Sequence, residues 1–220
     1  REFGIQPLFQ GFFGMVPFKL KEKFPKNNII DAGLWCEYQR PAFLMPDDTL
    51  FQKMAKVFYE EQEALYGKAR FFGGDPFHEG GRADAADLTK CGRLIQQAMQ
   101  KSHPEATWVL QGWLGNPSPK LLAETDKDFI LVLDLCNETL ADWNGAQSAW
   151  NASKGFSGCR WIWNTVTNYG GRNGLYGKID STTLNLYEAR KSDYGKKLEG
   201  IGVMPEGSHI NPFMFDYLFE

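Results

Sequence analysis

Six short segments rich in β-forming residues recur along this chain, centred near residues 5, 71, 108, 131, 162 and 202, with helical stretches spaced among them. No hairpin signal joins consecutive segments, and alternation of this kind implies βαβ units with parallel strands. Phe129-Ile-Leu-Val-Leu-Asp134 is apolar up to its final aspartate, as a strand covered on both faces must be. Ala106-Thr-Trp-Val-Leu-Gln111, bounded by Pro104 and Gly112, is too short for a helix and rich in strand formers. The first strand is expected over residues 4–9 and the last over residues 201–204.

The clearest helix begins at Pro46-Asp47-Asp48 and ends at Gly67, with Phe51, Met54, Phe58 and Leu65 at near-helical spacing. A second is expected over residues 83–101, where Leu88, Cys91, Ile95 and Met99 share a face. Shorter helices are expected over residues 18–24 and 120–124, and a longer one over 181–198. Residues 25–46 show no period and read as a long loop carrying Trp35, Tyr38 and Phe43. Loops of that length in compact domains are often functional.

Two architectures accommodate six parallel strands, an open doubly wound sheet and a closed barrel. No Gly-x-Gly-x-x-Gly follows the first strand and no Walker sequence is present, so a nucleotide-binding sheet has little support. The expected fold class is α/β, and if it is the barrel, a (β/α)8 TIM barrel, about six of its eight strands are in this chain. Residues 1–220 then form a partial catalytic domain. The two further strands are expected upstream of Arg1, where the chain starts abruptly on an apolar segment without Met, and flanking domains are expected beyond it.

Composition narrows the partners. A net charge of −3 and a pI near 5.7 provide no basic stripe for nucleic acid. No apolar run approaches the roughly 20 residues of a membrane span, and oligomeric state is not legible. Cys36, Cys91, Cys136 and Cys159 are widely spaced, with no Cys-x-x-Cys pair, so no metal is expected and the four read as buried free thiols. His78, His103 and His209 form no ligand spacing, and no His-Glu-x-x-His occurs. Two sequons, Asn137-Glu-Thr and Asn151-Ala-Ser, do not fix a compartment.

On a parallel barrel the chemistry belongs at the carboxyl ends of strands. Those ends carry Asp75 to Glu79 after the second strand, Gln111-Gly-Trp113 after the third and Asp134 after the fourth. Trp163 and Asn168 follow the fifth strand, and Pro205-Glu206-Gly207 the sixth. Two carboxylates with aromatic platforms are what glycoside hydrolysis requires: one protonates the leaving oxygen and the other answers the oxocarbenium-like charge. Trp113 and Trp163 are equally readable as core residues, and Asp134 reads as a structural carboxylate bonded to backbone amides.

In order, Phe72-Gly-Gly-Asp-Pro-Phe-His-Glu-Gly-Gly81, Trp108-Val-Leu-Gln-Gly-Trp113, Leu131-Val-Leu-Asp-Leu135, Trp161-Ile-Trp163, Asn168-Tyr-Gly-Gly171, Gly174-Leu-Tyr-Gly177 and Gly200-Ile-Gly-Val-Met-Pro-Glu-Gly207 resemble the motifs of the α-N-acetylglucosaminidases of glycoside hydrolase family 89. Gln10-Gly-Phe-Phe-Gly-Met-Val-Pro17 resembles that family's loop after an early strand. The resemblance implies a retaining exo-glycosidase that releases terminal α-linked N-acetylglucosamine from glycans, without metal or organic cofactor, in a secreted, periplasmic or lysosomal setting.

By motif, Glu79 takes the place of the acid/base and Glu206 that of the nucleophile. Trp113 falls where an indole shapes the sugar pocket, and His78, Trp163, Asn168 and Tyr169 are further candidate substrate contacts. His78 stands just before the acid/base position, where human-type members carry Asn; the departure resembles the bacterial form and bears on hydrogen bonding to the sugar or to Glu79. Two other readings are a non-catalytic saccharide-binding barrel and a fragment without competence. The presence of both glutamates favours catalysis over the first.

Overall fold

The computed structural model describes residues 3–79, 81–145, 154–166, 168–171, 178–207 and 212–220. They divide into two compact units, Arg1–Leu110 with Pro119–Ile130, and Gln111–Ser118 with Leu131–Glu220.

In chain order the first unit contains strands β1 (Leu8–Gln10) and β2 (Met15–Val16), helix α1 (Leu20–Lys23), and strands β3 (Ile29–Ile30), β4 (Leu34–Trp35), β5 (Tyr38–Gln39) and β6 (Ala42–Leu44). Helix α2 (Thr49–Tyr66), strand β7 (Phe71–Gly73), helix α3 (Leu88–Ser102), strand β8 (Thr107–Gly112) and helix α4 (Pro119–Leu122) follow. β7 is flanked in parallel by β1 and β8, with Phe72 opposite Phe9 on one side and Trp108 on the other. Phe72 and Trp108 are fully buried, in keeping with the apolar centres of β7 and β8.

Helix α2 starts where Asp48, at the N-cap, accepts the Leu50 amide at 2.7 Å. It buries Phe51, Ala55 and Tyr59, four residues apart; of the face expected from spacing, Phe51 is buried, Met54 and Phe58 are half-buried at its edge, and Leu65 is exposed. The small Ala55 lets the helix approach, and the Tyr59 hydroxyl accepts the Phe12 amide at 3.0 Å. That bond satisfies a buried polar group at the start of the loop after β1.

Residues 25–46 are not an irregular loop. β2, β6 and β3 form a three-stranded antiparallel sheet, and β4 and β5 form a two-residue hairpin with Trp35 opposite Tyr38. Its turn residues, Cys36 and Glu37, both adopt positive φ, at 46° and 71°. Cys36 is exposed there, against the expectation of a buried thiol, while Cys91, Cys136 and Cys159 are buried and outside any disulfide. Helix α3 begins later than expected, at Leu88, because Asp87 takes the N-cap and accepts the Lys90 amide at 3.2 Å.

The second unit takes the last two residues of β8 and continues with β9 (Ile130–Asp134, from Leu131 onward), β10 (Arg160–Thr165), helix α5 (Ile179–Lys191), β11 (Leu198–Val203) and helix α6 (Pro212–Phe219), the last not foreseen in the sequence. β10 pairs in parallel with β9 and β11, and the Leu135 amide donates to the Gly112 carbonyl at 3.2 Å. Helix α5 stops at Lys191, where Ser192 caps a short 3-10 turn, so Leu198 opens a strand rather than closing a helix. Asn137, the first sequon, is buried and donates to the carbonyls of Asp134 and Asn164, so it presents no glycosylation site in this fold. Asn151 and the Gly174-Leu-Tyr-Gly177 motif lie outside the described residues.

All the strand registers among β1, β7, β8, β9, β10 and β11 are parallel, in an α/β fold. Among the described residues, no helix is long and apolar enough to cross a membrane.

Candidate active site

Strand β7 ends at Gly73, and the chain then passes against Phe13. A Cβ at Gly74 would lie 2.2 Å from that ring, so only glycine permits the approach. The Gly74 carbonyl accepts the Trp108 indole N–H at 2.9 Å, which fixes the exit of the strand. Two non-glycine residues of the following loop adopt left-handed backbone, Phe77 at φ 62° and Glu79 at φ 48°. Such conformations persist where surrounding contacts over-determine them.

Here Arg40 makes those contacts. Its Nη1 donates to the His78 carbonyl at 3.1 Å, its Nη2 to the Glu79 carbonyl, and its Nε to the Leu34 carbonyl at 3.2 Å. One planar guanidinium thus joins the β4–β5 hairpin to the Glu79 loop. The Glu79 carboxylate is exposed, and its Oε2 accepts the Trp35 indole N–H at 2.8 Å.

A cavity of about 250 Å³ opens here, walled on its apolar side by Phe13, Phe43 and Phe77 and on its polar side by Arg40, His78 and Glu79. The buried Nε2 of His78 has no hydrogen-bond partner among the described residues. Burial holds this imidazole below its ordinary value, the Glu79 charge opposing the shift and Arg40 adding to it. The neutral ring thus holds an unsatisfied nitrogen behind the cavity wall, a buried polar group that gains from any partner brought within reach.

In the second unit, Glu206 follows β11. Its backbone amide donates to Asn168 Oδ1 at 2.7 Å, Asn168 Nδ2 donates to the Gly207 carbonyl at 3.2 Å, and its carboxylate accepts the Gly170 amide. Asn168 is buried, whereas the Glu206 side chain is exposed. The loop at residues 168–171 therefore grips Glu206 by backbone and side chain together. Trp113 stands half-buried on a tight turn in which its amide and carbonyl both pair with Asn116, and its ring lies 6.3 Å from that of Tyr169 at 37°. Asn168, Tyr169, Glu206 and Trp113 are brought together within this unit.

Trp163 is not brought with them. It is fully buried, and its indole N–H donates to Asn185 Oδ1 on α5 at 2.8 Å, so the structure places it as a core residue rather than a sugar platform. Asp134 is likewise buried, accepting the amides of Asp142 and Trp143 at 3.3 and 3.0 Å, as a structural carboxylate should. Burial and the neighbouring Asp142 charge raise it well above the ordinary carboxylate range. Trp35 and Arg40 are the functional candidates that sequence reasoning did not single out as site residues.

Comparison with known proteins identifies the family. The profile of the α-N-acetylglucosaminidase TIM-barrel domain matches residues 1–220. Human α-N-acetylglucosaminidase is 28% identical over all of this chain, which spans 31% of that protein. Among solved structures, a family 89 glycoside hydrolase from Clostridium perfringens in complex with PUGNAc is 38% identical, with a TM-score of 0.85 over 98% of this chain and 24% of its own. A variant of the Clostridium perfringens protein with two Glu→Gln substitutions, in complex with its substrate GlcNAc-α-1,4-galactose, is 36% identical, with a TM-score of 0.83 over the same shares. The chain thus spans between 24% and 31% of the length of these relatives. With its whole length matched by the domain profile, the chain belongs to the α-N-acetylglucosaminidase TIM-barrel family of glycoside hydrolases.

Proposed function

We propose that the protein carrying this chain is a retaining exo-glycoside hydrolase that releases terminal α-linked N-acetylglucosamine from glycans. The observation that carries the reading is the Glu79 carboxylate, held by the Trp35 indole in the wall of a cavity with an apolar side and an unpaired His78 nitrogen. A pyranose needs both characters, an apolar surface for its ring and polar partners for its hydroxyls. The relatives' names and their complexes with GlcNAc-type ligands and substrate support the same sugar.

Substrate stereochemistry argues for a protein nucleophile. In an α-linked N-acetylglucosamine the 2-acetamido group is cis to the leaving oxygen and has no line of attack on the opposite face of C1, so a carboxylate must make it. Glu206 attacks C1, forming a glycosyl ester as the C1–O bond breaks, and Glu79 gives its proton to the departing oxygen. Glu79 then takes a proton from water, which displaces Glu206 and frees the sugar. Asn168 and the Gly170 amide orient Glu206 for the first step, and His78 contributes a hydrogen bond to the sugar. Two inversions give net retention. No metal or organic cofactor enters either step.

Hydrolysis of an α-N-acetylglucosaminide by the intact protein, followed by NMR in real time, tests this directly. The α-anomer is expected to appear first and to mutarotate afterwards. A first product in the β-form would refute the double displacement.

A further inference from the structure

A general acid must reach the glycosidic oxygen, so whatever borders the acid borders the leaving group as well. The side chain that borders Glu79 here is Trp35, whose indole N–H meets Oε2 at 2.8 Å. Trp35 lines the cavity, yet it is 48% exposed. Directly opposite it in the β4–β5 ladder stands Tyr38, 73% exposed and not part of the cavity wall. Opposed residues of an antiparallel pair project from the same face, with Cβ atoms about 4.5 to 5.5 Å apart. The ribbon therefore presents two neighbouring aromatic rings on one face, the inner one touching the acid and the outer one continuing away from the cavity.

Large exposed aromatic side chains on a two-stranded ribbon contribute little to a core. Tyrosine and tryptophan instead offer apolar surface with a polar edge, which suits the C–H face and the hydroxyls of a sugar. The ribbon is also held in register with the acid. Arg40, which follows β5, bonds the Leu34 carbonyl of the hairpin and the His78 and Glu79 carbonyls of the acid loop, and the Arg40 amide donates to the Gly33 carbonyl at 3.0 Å. Gln39 Nε2 bonds Asp31 at 3.0 Å and the carbonyl of Arg40 at 3.1 Å, which stiffens the base of the ribbon.

We propose that the Trp35–Tyr38 face of the β4–β5 hairpin is the subsite for the leaving saccharide, the sugar to which the N-acetylglucosamine is attached. This assignment rests on the glycosidase reading and deepens it. Tyr38 selects saccharide leaving groups over small ones, and Trp35 both contacts the leaving sugar and positions Glu79.

The test compares two substrates of the intact protein: a disaccharide with α-linked N-acetylglucosamine at its non-reducing end, and N-acetyl-α-glucosaminyl fluoride, which has no leaving sugar. Tyr38→Ala is expected to lower kcat/KM on the disaccharide about tenfold more than on the fluoride, with most of the difference in KM, and Tyr38→Phe is expected to restore much of it. Equal losses on both substrates, or no loss on either, would overturn the subsite. Failure of the unaltered protein to turn over both substrates would overturn the glycosidase reading and the subsite with it. A selective loss on the disaccharide supports the subsite alone.

Discussion

Asn168 accepts the backbone amide of Glu206 at 2.7 Å and donates to the carbonyl of Gly207 at 3.2 Å, so one buried side-chain amide spans the peptide that carries the proposed nucleophile. Asn168→Ala removes the partners of a part-buried donor and acceptor, a change of about 0.5 to 1.5 kcal/mol per bond in stability. The same loss frees the Glu206 backbone, so kcat is expected to fall at least about tenfold while KM changes less. Asn168→Asp keeps the acceptor for Glu206 but sets an oxygen against the Gly207 carbonyl, and should be nearly as damaging. Thermal denaturation beside steady-state kinetics separates the two effects, and wild-type kcat in Asn168→Ala would remove Asn168 from the site.

The two glutamates are expected to respond differently to the same substitution. Glu206→Gln should abolish turnover on every substrate with little change in stability, because its side chain is exposed. Substantial remaining activity would end its assignment as nucleophile. Glu79→Gln should cost roughly 10² to 10⁴ in rate on substrates with poor leaving groups and far less in the first step on good ones. An equal loss on both kinds of substrate would argue against an acid role.

The parallel strands were legible because burial on both faces leaves a plain mark in the sequence. Val109, Leu110, Ile130, Leu131 and Val132 are buried where an unbroken apolar run placed them. The same circumstance hid the role of Trp163, since nothing in a run buried on both sides tells which indole meets solvent and which reaches Asn185. The β4–β5 hairpin was illegible for a different reason. Hairpin turns with two positive φ values usually announce themselves through Asn-Gly or Asp-Gly, and here Cys36 and Glu37 occupy those positions. Trp35 and Arg40 were therefore read as loop residues. The motif glutamates were visible from the sequence, whereas their backbone grips, separated by 36 to 39 residues, are products of the fold.

Between α3 and α4 the chain tolerates no side chain at Gly92. A Cβ built there would lie 1.9 Å from the Leu121 carbonyl oxygen, a backbone atom that cannot swing aside. Gly92→Ala would gain helix propensity, worth up to about 1 kcal/mol, but must push α4 away from α3. Overpacking costs about 1 to 3 kcal/mol, and a backbone obstacle sets this case at the upper end. The net expectation is a loss of roughly 2 kcal/mol or more by denaturant titration, and a variant as stable as the wild type would contradict this packing.

Stability should also depend on pH through Asp142, which is buried beside Asp134. Burial pushes its carboxyl from 3.8 up to about 6, against the pull of the Gly115 amide. Below pH 4 both folded and unfolded forms hold the proton, and no penalty arises. As pH rises from about 4 to 6 the unfolded form ionises first, so the folded form binds more protons and loses relative stability, roughly 2 to 3 kcal/mol in all. Above pH 6 the loss is complete. Asp142→Asn is expected to flatten this part of the profile in thermal denaturation between pH 4 and 7. An unchanged slope would mean that Asp142 does not titrate as its burial demands.

Arg40 provides the most direct test of whether the backbone around Glu79 matters to catalysis. Its three nitrogens reach the carbonyls of Leu34, His78 and Glu79, and Glu79 itself adopts a left-handed φ of 48°. Lysine preserves the positive charge beside His78 but has a single nitrogen, which cannot hold three carbonyls in one plane. Arg40→Lys therefore removes the geometric constraint while leaving the electrostatics nearly intact. The expected outcome is a fall of about tenfold or more in kcat/KM on substrates that need a proton on the leaving oxygen, with a smaller fall on glycosyl fluorides. Charge alone would predict the same rates in Arg40→Lys and wild type, and that result would show that the guanidinium fork does not position Glu79.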